Sequence, residues 1–215
     1  MRGTIRLGAW RRFTARQVIT PPDGYIWAAT ARVAGMPVIG YDRLSSGAGQ
    51  MRWRLVNLVP LMSAVGADIT MSARGRLATE IVLLPTAFRT FAWARGDDAD
   101  TAVGSMQVGA EVGGESEEVR LRIRSDGSVK SVETQRWGNP NGGPYGRYPF
   151  GATIEAERRF GGVTMPSLFR AAWHFGTDRQ DGRRVLPRRD NRRNVPLIAR
   201  LPPAHACVEG GFAPA

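Results

Sequence analysis

One stretch of this chain has the period of a helix, and it stands among segments that alternate like strands. Within residues 70–88, four apolar residues recur every three or four positions, as on one face of a helix: Ala73, Leu77, Ile81 and Leu84. Pro85 disfavours helical backbone at the residue before it, so the helix should end there. We therefore expect one principal helix near 72–84, with Thr70 or Ser72 capping its start.

Most of the remaining chain is predicted to form antiparallel strands. The clearest alternation spans 119–124, where valine, leucine and isoleucine alternate with arginine, as in a strand with one buried and one wet face. Turn sequences such as Pro21-Pro22-Asp23-Gly24 and Ser125-Asp126-Gly127-Ser128 separate the strands at hairpin spacing. About ten such strands predict a mainly β (α+β) fold: a large curved antiparallel sheet or half-barrel with the helix packed on its concave face.

Three segments lack a strand pattern. Residues 57–67 are predicted to be irregular with one helical turn, and residues 161–170 are predicted to separate two short strands. The Gly/Pro/Asn-rich segment 138–151 predicts a long loop, which in a compact domain usually serves as a lid or a binding loop.

Composition excludes several classes of protein. The single cysteine, Cys207, rules out an internal disulfide framework and a multi-cysteine zinc site. With only two histidines and no glycine-rich nucleotide motif, the sequence predicts no metal and no cofactor. It contains no apolar run of about 18 residues, so no membrane span is expected. The first residues lack the apolar core of a signal peptide, which predicts a cytoplasmic protein.

The net charge of +11 is interpreted as a basic surface rather than a nucleic-acid site. Of the 30 basic residues, all but Lys130 are arginine, a skew that GC-rich coding DNA produces whatever the function. The arginines are spread along the strands and interrupted by acidic clusters near 97–100 and 111–118, whereas a nucleic-acid binder usually concentrates its basic residues on one face. We therefore predict no nucleic-acid partner, and the oligomeric state stays open.

The best candidate site residues gather around the predicted helix. Glu80 lies on the apolar stripe, where an inward carboxylate needs a partner, and Arg76 stands one turn earlier. The plainer alternative is that Arg76 simply satisfies Glu80 and that the nearby aromatics belong to the core. No catalytic residue is assigned. The candidate ligand-binding residues are three charged groups, a glutamine and two tryptophans: Gln17, Trp27, Asp42, Trp53, Arg76 and Glu80.

Several phrases of the sequence are specific when taken together: Trp10-x-x-Phe13-x-Ala15-x-Gln17, Gly24-Tyr25-Ile26-Trp27, Gly40-Tyr41-Asp42, Gly75-Arg76-Leu77-x-x-Glu80, Arg136-Trp137-Gly138 and Pro149-Phe150-Gly151. With them the chain resembles, over about 3–179, an uncharacterised bacterial family, domain of unknown function 6544. The resemblance implies no established activity and no catalytic residues. A looser, fold-level resemblance is to the lipoprotein-carrier half-barrels, in which a curved sheet wraps helices around a lipophilic cavity.

Three interpretations of function remain open. The favoured one is a non-enzymatic domain that binds a lipophilic or amphipathic small molecule between sheet and helix. The second is an enzyme in which Glu80 and Asp42 act as acid/base groups while Arg76 orients an anion. The third is a domain that serves only protein association.

One domain is predicted over residues 1–180, followed by an unstructured tail, 181–215, in which proline and arginine crowd without any period. With suitable synonymous codons, a one-base shift of frame turns 182–194 into a sequence that begins Ala-Glu-Glu-Phe-Phe-Arg. That peptide is similar to the closing strand that the family resemblance implies, so we expect a frameshifted tail. The same resemblance implies a segment before Gly3, so the start is expected to be clipped.

Overall fold

The computed structural model describes residues 1–7, 9–108 and 116–180. The first six strands form one antiparallel sheet, sheet A, in chain order: β1 Arg2–Leu7, β2 Ala9–Thr20, β3 Gly24–Val33, β4 Met36–Ser45, β5 Ala48–Leu55 and β6 Val59–Val65. Six more form sheet B, also in chain order: β7 Ala92–Arg95, β8 Thr101–Gln107, β9 Ser116–Ile123, β10 Val129–Gly138, β11 Gly146–Phe160 and β12 Val163–Trp173.

One α-helix, α1 (Ala67–Glu80), connects the two sheets and is followed by short 3-10 helices at Ile81–Leu83 and Pro85–Thr90. A third 3-10 turn, Pro140–Gly142, lies between β10 and β11. The predicted β-rich, antiparallel architecture with one principal helix is therefore confirmed, and the strands are divided between two six-stranded sheets. No helix in the described ranges is both long and apolar enough to cross a membrane.

The helix starts earlier than the sequence predicts, and its predicted caps lie inside it. Gly66, at φ 109°, occupies the N-cap position without a side-chain hydrogen bond. The hydroxyl of Thr70 instead donates to the carbonyl of Gly66 at 2.9 Å and accepts from the amide of Gly49 at 2.9 Å. Thr70 therefore fastens the helix to β5. The α-helix ends at Glu80 and a 3-10 turn continues it to Leu83. Leu84, at φ −140°, then leaves the helical region just before Pro85, as predicted.

Two predicted irregular segments are strands at the edges of the sheets. Residues predicted to be irregular near 57–67 form β6, and those predicted to separate two strands near 161–170 lie within β12. Both strands contain a proline, Pro60 and Pro166, which an edge strand tolerates because one side of it has no ladder to complete. Edge exposure also removes the alternation that a buried strand shows.

The predicted long loop at 138–151 is also shorter than expected. Because Gly138 pairs with Gly146 across the β10–β11 hairpin, most of the glycine- and proline-rich segment belongs to the two strands and their turn. The predictions for the tail, including the frameshift and Cys207, lie outside the described residues.

The core lies where α1 packs against both sheets. Leu77 and Ile81 of the predicted apolar stripe are fully buried, together with Val119 and Val132 of sheet B. Glycines allow close approach on both sides of the helix: a Cβ on Gly49 of β5 would lie 2.7 Å from the carbonyl oxygen of Ile69. On the other side, a Cβ on Gly75 of the helix would lie 2.9 Å from Cγ of Arg136 in β10.

Candidate functional site

A buried guanidinium holds two carboxylates at the seam between α1 and sheet A. Arg76 donates through Nη1 to Oδ2 of Asp42 at 2.5 Å and through Nε to Oε1 of Glu80 at 2.8 Å. The three side chains are 15%, 9% and 18% exposed, respectively. The helical spacing of Arg76 and Glu80 produces one of these contacts, and the inward face of β4 presents Asp42 for the other.

Neutral donors occupy the second oxygen of each carboxylate. The amide Nε2 of Gln17 donates to Oε2 of Glu80, and the hydroxyl of Tyr25 donates to Oδ1 of Asp42 at 2.9 Å. Alternation places these groups on one face of the sheet, because Gln17 stands opposite Trp27 in the β2–β3 register and Trp27 stands opposite Asp42 in the β3–β4 register. Three strands are thereby tied to the last two turns of the helix.

Aromatic rings surround the same guanidinium. The central carbon of Arg76 lies 4.9 Å from the ring centre of Tyr25 and 5.0 Å from that of Trp27. Trp53 packs on Trp27 with their ring centres 5.9 Å apart. The structure thus brings all six predicted site residues together at the seam, with Trp53 attached through Trp27. Their role in binding a ligand stays a prediction.

Burial governs the proton affinities of this cluster. Burial raises the pKa of the Tyr25 hydroxyl well above its ordinary value, so the phenol keeps its proton and donates to Asp42. For Arg76, burial acts to lower the pKa, but attraction to Glu80 and to Asp42 outweighs it and the pKa is raised. The seam therefore holds a permanent cation between two carboxylates.

A second buried guanidinium, which the choice of site residues missed, fastens the helix to sheet B. Arg136 is 9% exposed and donates through Nε to the carbonyl of Ser72 at 3.0 Å and through Nη2 to its hydroxyl at 3.2 Å. The rings of Phe150 and Trp173 lie 4.6 and 4.9 Å from its guanidinium carbon. Burial lowers the pKa of Arg136. In the sequence, the feature that points to Arg136 is its place in the family motif Arg136-Trp137-Gly138.

The neighbouring tryptophan completes this attachment. The indole Nε1 of Trp137 donates to Oδ1 of Asp68 at 2.9 Å, in the first turn of α1, where a carboxylate also suits the helix dipole. Sheet B therefore holds the first half of the helix, where Thr70 also fastens it to β5, and sheet A holds its end.

An open cleft of about 510 Å³ lies where the hairpins of sheet A turn. Its apolar lining includes Val18, Ile26 and Leu44, and its polar lining includes the hydroxyl residues Thr20, Ser45 and Ser46 together with Arg74 of the helix. Tyr25 also lines it, and Tyr25 is the residue that reaches Asp42. Among the residues that line the cleft, none is one of the six predicted from the sequence.

The hydrogen bonds at the seam favour a structural role for the two carboxylates over a role in proton transfer. Both oxygens of each carboxylate already accept hydrogen bonds, one from Arg76 and the other from Tyr25 or Gln17. A general acid or base needs an oxygen within reach of the substrate's proton. Over the described ranges, no group of three or more His, Cys, Asp or Glu side chains is placed to hold a metal ion.

The chain belongs to the family of unknown function DUF6544, whose model matches residues 1–182. The match confirms the resemblance carried by the sequence phrases. No curated protein and no solved structure matches the chain. The looser likeness to lipoprotein-carrier half-barrels stays a prediction.

Proposed function

We propose that this DUF6544 domain is a non-enzymatic binding module that takes a small amphipathic molecule in the cleft of sheet A. The observation that supports it is the cleft itself. Its volume of about 510 Å³ lies within the range of small-molecule sites, which pair an apolar lining with a few polar groups.

The lining indicates the chemistry of the ligand. Val18 and Ile26, which are 49% and 47% exposed, offer an apolar wall to a hydrocarbon or aromatic body. Hydroxyls of Ser45 and its neighbours can bond a polar head, and Arg74 adds a positive charge that favours an anionic one. A fatty-acid-like carboxylate matches both the apolar and the polar part of this lining.

In this proposal the six residues predicted from the sequence support the site and do not touch the ligand. Arg76 holds Asp42, Asp42 accepts the hydrogen bond of the Tyr25 hydroxyl, and Tyr25 is one of the residues that border the cleft. Gln17 is only 7% exposed, which also favours a supporting role. The acid/base alternative has less support, because the donors of the seam already occupy both carboxylates.

Two measurements test the proposal. Native mass spectrometry of gently purified protein should show a bound species of small mass that organic extraction removes. A dansyl-labelled undecanoic acid should then bind the extracted protein with one-to-one stoichiometry, and its fluorescence should report the affinity.

Ser45→Trp places a large ring in the cleft, at an exposed position at the end of β4. It should weaken probe binding by about tenfold or more, roughly 1.4 kcal/mol for each factor of ten. The matched control Ser125→Trp adds the same ring to an exposed turn of sheet B and should leave the affinity unchanged. Equal affinities for the two variants would refute the cleft as the binding site.

A further inference from the structure

The outer face of sheet A, which points away from α1, concentrates basic residues that look scattered in the sequence. Strand alternation sends one arginine after another to this side of β2–β5, opposite outward neighbours such as Ala28 for Arg16 and Tyr41 for Arg52. We call this surface the basic face. Its arginines are Arg12, Arg16, Arg32, Arg43, Arg52 and Arg54.

Carboxylates are nearly absent from this half of the protein. Residues 1–65 contain only Asp23, in the turn between β2 and β3, and Asp42, which points inward to Arg76. Within the described ranges, no arginine of the basic face forms an ion pair with a carboxylate. In the part of the chain that the structure describes, the charge of this face therefore has no carboxylate to neutralise it.

Sheet B shows the contrast. Arg120 pairs with Asp97 at 2.9 Å, Arg122 lies 3.6 Å from Asp98, and Arg170 pairs with Glu155. Several arginines of sheet B are therefore paired with acids, whereas the arginines of the basic face are grouped without them. An origin in GC-rich coding DNA predicts no such difference between the two sheets.

Exposed aliphatic side chains lie between the arginines. Ile26 stands opposite Arg43 and is 47% exposed, and Ile39 stands opposite Arg54 and is 37% exposed. The apolar surface continues onto the edge strand β6, where Val65 stands opposite the outward Gln50 and is 68% exposed. Single exposed aliphatics need no explanation, but a run of them among unpaired arginines indicates a surface with an apolar and anionic partner.

We propose that the basic face docks on the surface of a bilayer that contains anionic phospholipids. Guanidinium groups bind headgroup phosphates through paired hydrogen bonds, and the aliphatic side chains enter the boundary of the acyl region. Each arginine near an anionic membrane surface strengthens the attraction. The proposal is independent of the ligand cleft, although Val18 and Ile26 belong to both surfaces.

Nucleic acid is the other polyanion to consider, and this face suits it less well. Phosphates would accept the same arginine contacts and bases could stack on Tyr41 and Trp10, which lie on this face, but the exposed aliphatic side chains would gain nothing from nucleic acid. A bilayer uses both kinds of side chain on this face.

The test measures co-sedimentation of the full chain with lipid vesicles. Vesicles of equal parts phosphatidylcholine and phosphatidylglycerol should bind the protein, vesicles of phosphatidylcholine alone should not, and added salt should release it. The variant Arg16→Gln/Arg43→Gln/Arg52→Gln should weaken partitioning by a factor on the order of 100. The matched control Arg95→Gln/Arg158→Gln/Arg159→Gln removes the same charge from sheet B and should change partitioning by less than about threefold.

A second pair of variants tests the apolar part of the contact. Ile39→Ser/Val65→Ser leaves the cleft lining unchanged and should weaken vesicle binding about tenfold, through the lost burial of two aliphatic side chains. Its control, Tyr145→Ser/Val163→Ser, removes exposed apolar groups from the other half of the protein. Circular dichroism checks that each variant is folded. The salt dependence of vesicle binding is measured on the unsubstituted protein, so it does not depend on the folding of any variant.

Several results would overturn the proposal. The protein could ignore anionic vesicles, or the two arginine variants could lose binding equally, which would indicate net charge alone. A single-stranded DNA oligonucleotide could bind while vesicles do not. Vesicle binding that is indifferent to Ile39→Ser/Val65→Ser would indicate electrostatic adsorption without insertion. The tail arginines are present in every variant and cancel in each comparison.

Discussion

Arg76 and Asp42 are 34 positions apart in the sequence, and their side chains meet at 2.5 Å across the seam between helix and sheet. The same guanidinium reaches Glu80 at 2.8 Å, so one cation joins the helix to itself and to β4. All three groups are mostly buried, and each carboxylate also receives a neutral donor. A cation in this position stabilises the fold chiefly because its loss would strand two buried anions.

Replacing Arg76 with methionine should therefore destabilise the protein strongly. Breaking a buried ion pair by removing one partner costs about 3–5 kcal/mol, and the residual exposure of these groups favours the lower end of that range. Urea unfolding measures the loss. In the matched control, Arg120→Met, the ion pair with Asp97 is exposed and its removal should cost less than about 1 kcal/mol. Similar losses in both variants would show that the seam is no more important than a surface pair.

The buried hydroxyl of Tyr25 should make stability fall in alkaline solution. Burial raises its pKa above the ordinary 10.0, so the unfolded chain releases this proton at a lower pH than the folded protein does. Below about pH 9 the hydroxyl is protonated in both states and contributes no pH dependence. Above about pH 10 the unfolded state binds fewer protons, and the free energy of unfolding falls with a slope approaching 1.4 kcal/mol per pH unit.

Tyr25→Phe should remove this slope, which urea unfolding between about pH 8 and pH 11 can follow. The variant should also lose about 1–2 kcal/mol at neutral pH, because Asp42 gives up a buried hydrogen bond. The control Tyr145→Phe alters a ring that is 41% exposed and should keep the alkaline slope. An unchanged slope in Tyr25→Phe would mean that other groups govern the alkaline transition.

How well the sequence predicts the site depends on how far apart in the sequence the contacting residues lie. The pairing of Arg76 with Glu80 is a one-turn contact that helical period alone predicts. The inward positions of Gln17 and Asp42 follow from two-residue alternation once the strands are aligned. The meeting of Asp42 with Arg76 also needs the rotation of the helix against the sheet, which no local pattern specifies.

The features that the sequence does not predict also depend on contacts between segments far apart in the chain. β6 and β12 show no alternation because these edge strands are exposed on both faces, so their sequences predict loops or connections. The cleft forms where separate hairpins turn beside the helix, so no single segment of the sequence predicts it. Arg136 was visible as part of a family phrase, but its burial between Phe150 and Trp173 depends on pairing across β10, β11 and β12.

The close approach of α1 to β5 gives a further prediction. An alanine at position 49 would bring its Cβ within 2.7 Å of the backbone of Ile69 and Thr70, which cannot yield without moving the helix. Gly49→Ala should cost about 1–3 kcal/mol, as overpacking of a dense core does, and thermal unfolding would show the loss. Gly146→Ala is the control, because its Cβ would lie 3.4 Å from the ring of Tyr148, an ordinary contact. A neutral Gly49→Ala would mean that the helix can shift freely on the sheet.

The last prediction is that residues 1–180 fold without the tail. The buried hydrophobic residues named in the core lie between Ala15 and Ala172, and β12 completes the ladder of β11 before a final turn in which the amide of Gln180 donates to the carbonyl of Thr177. A chain that ends at Gln180 should therefore match the full chain in free energy of unfolding to within about 0.5 kcal/mol, the usual effect of a change away from the core. A chain that ends at Phe160 lacks β12, leaves Ile154 without its cover, and should fail to unfold cooperatively. If the chain ending at Gln180 also loses its cooperative transition, the tail contributes to the fold. The expected frameshift would then be wrong, and codons in the gene that do not permit the one-base shift would exclude it independently.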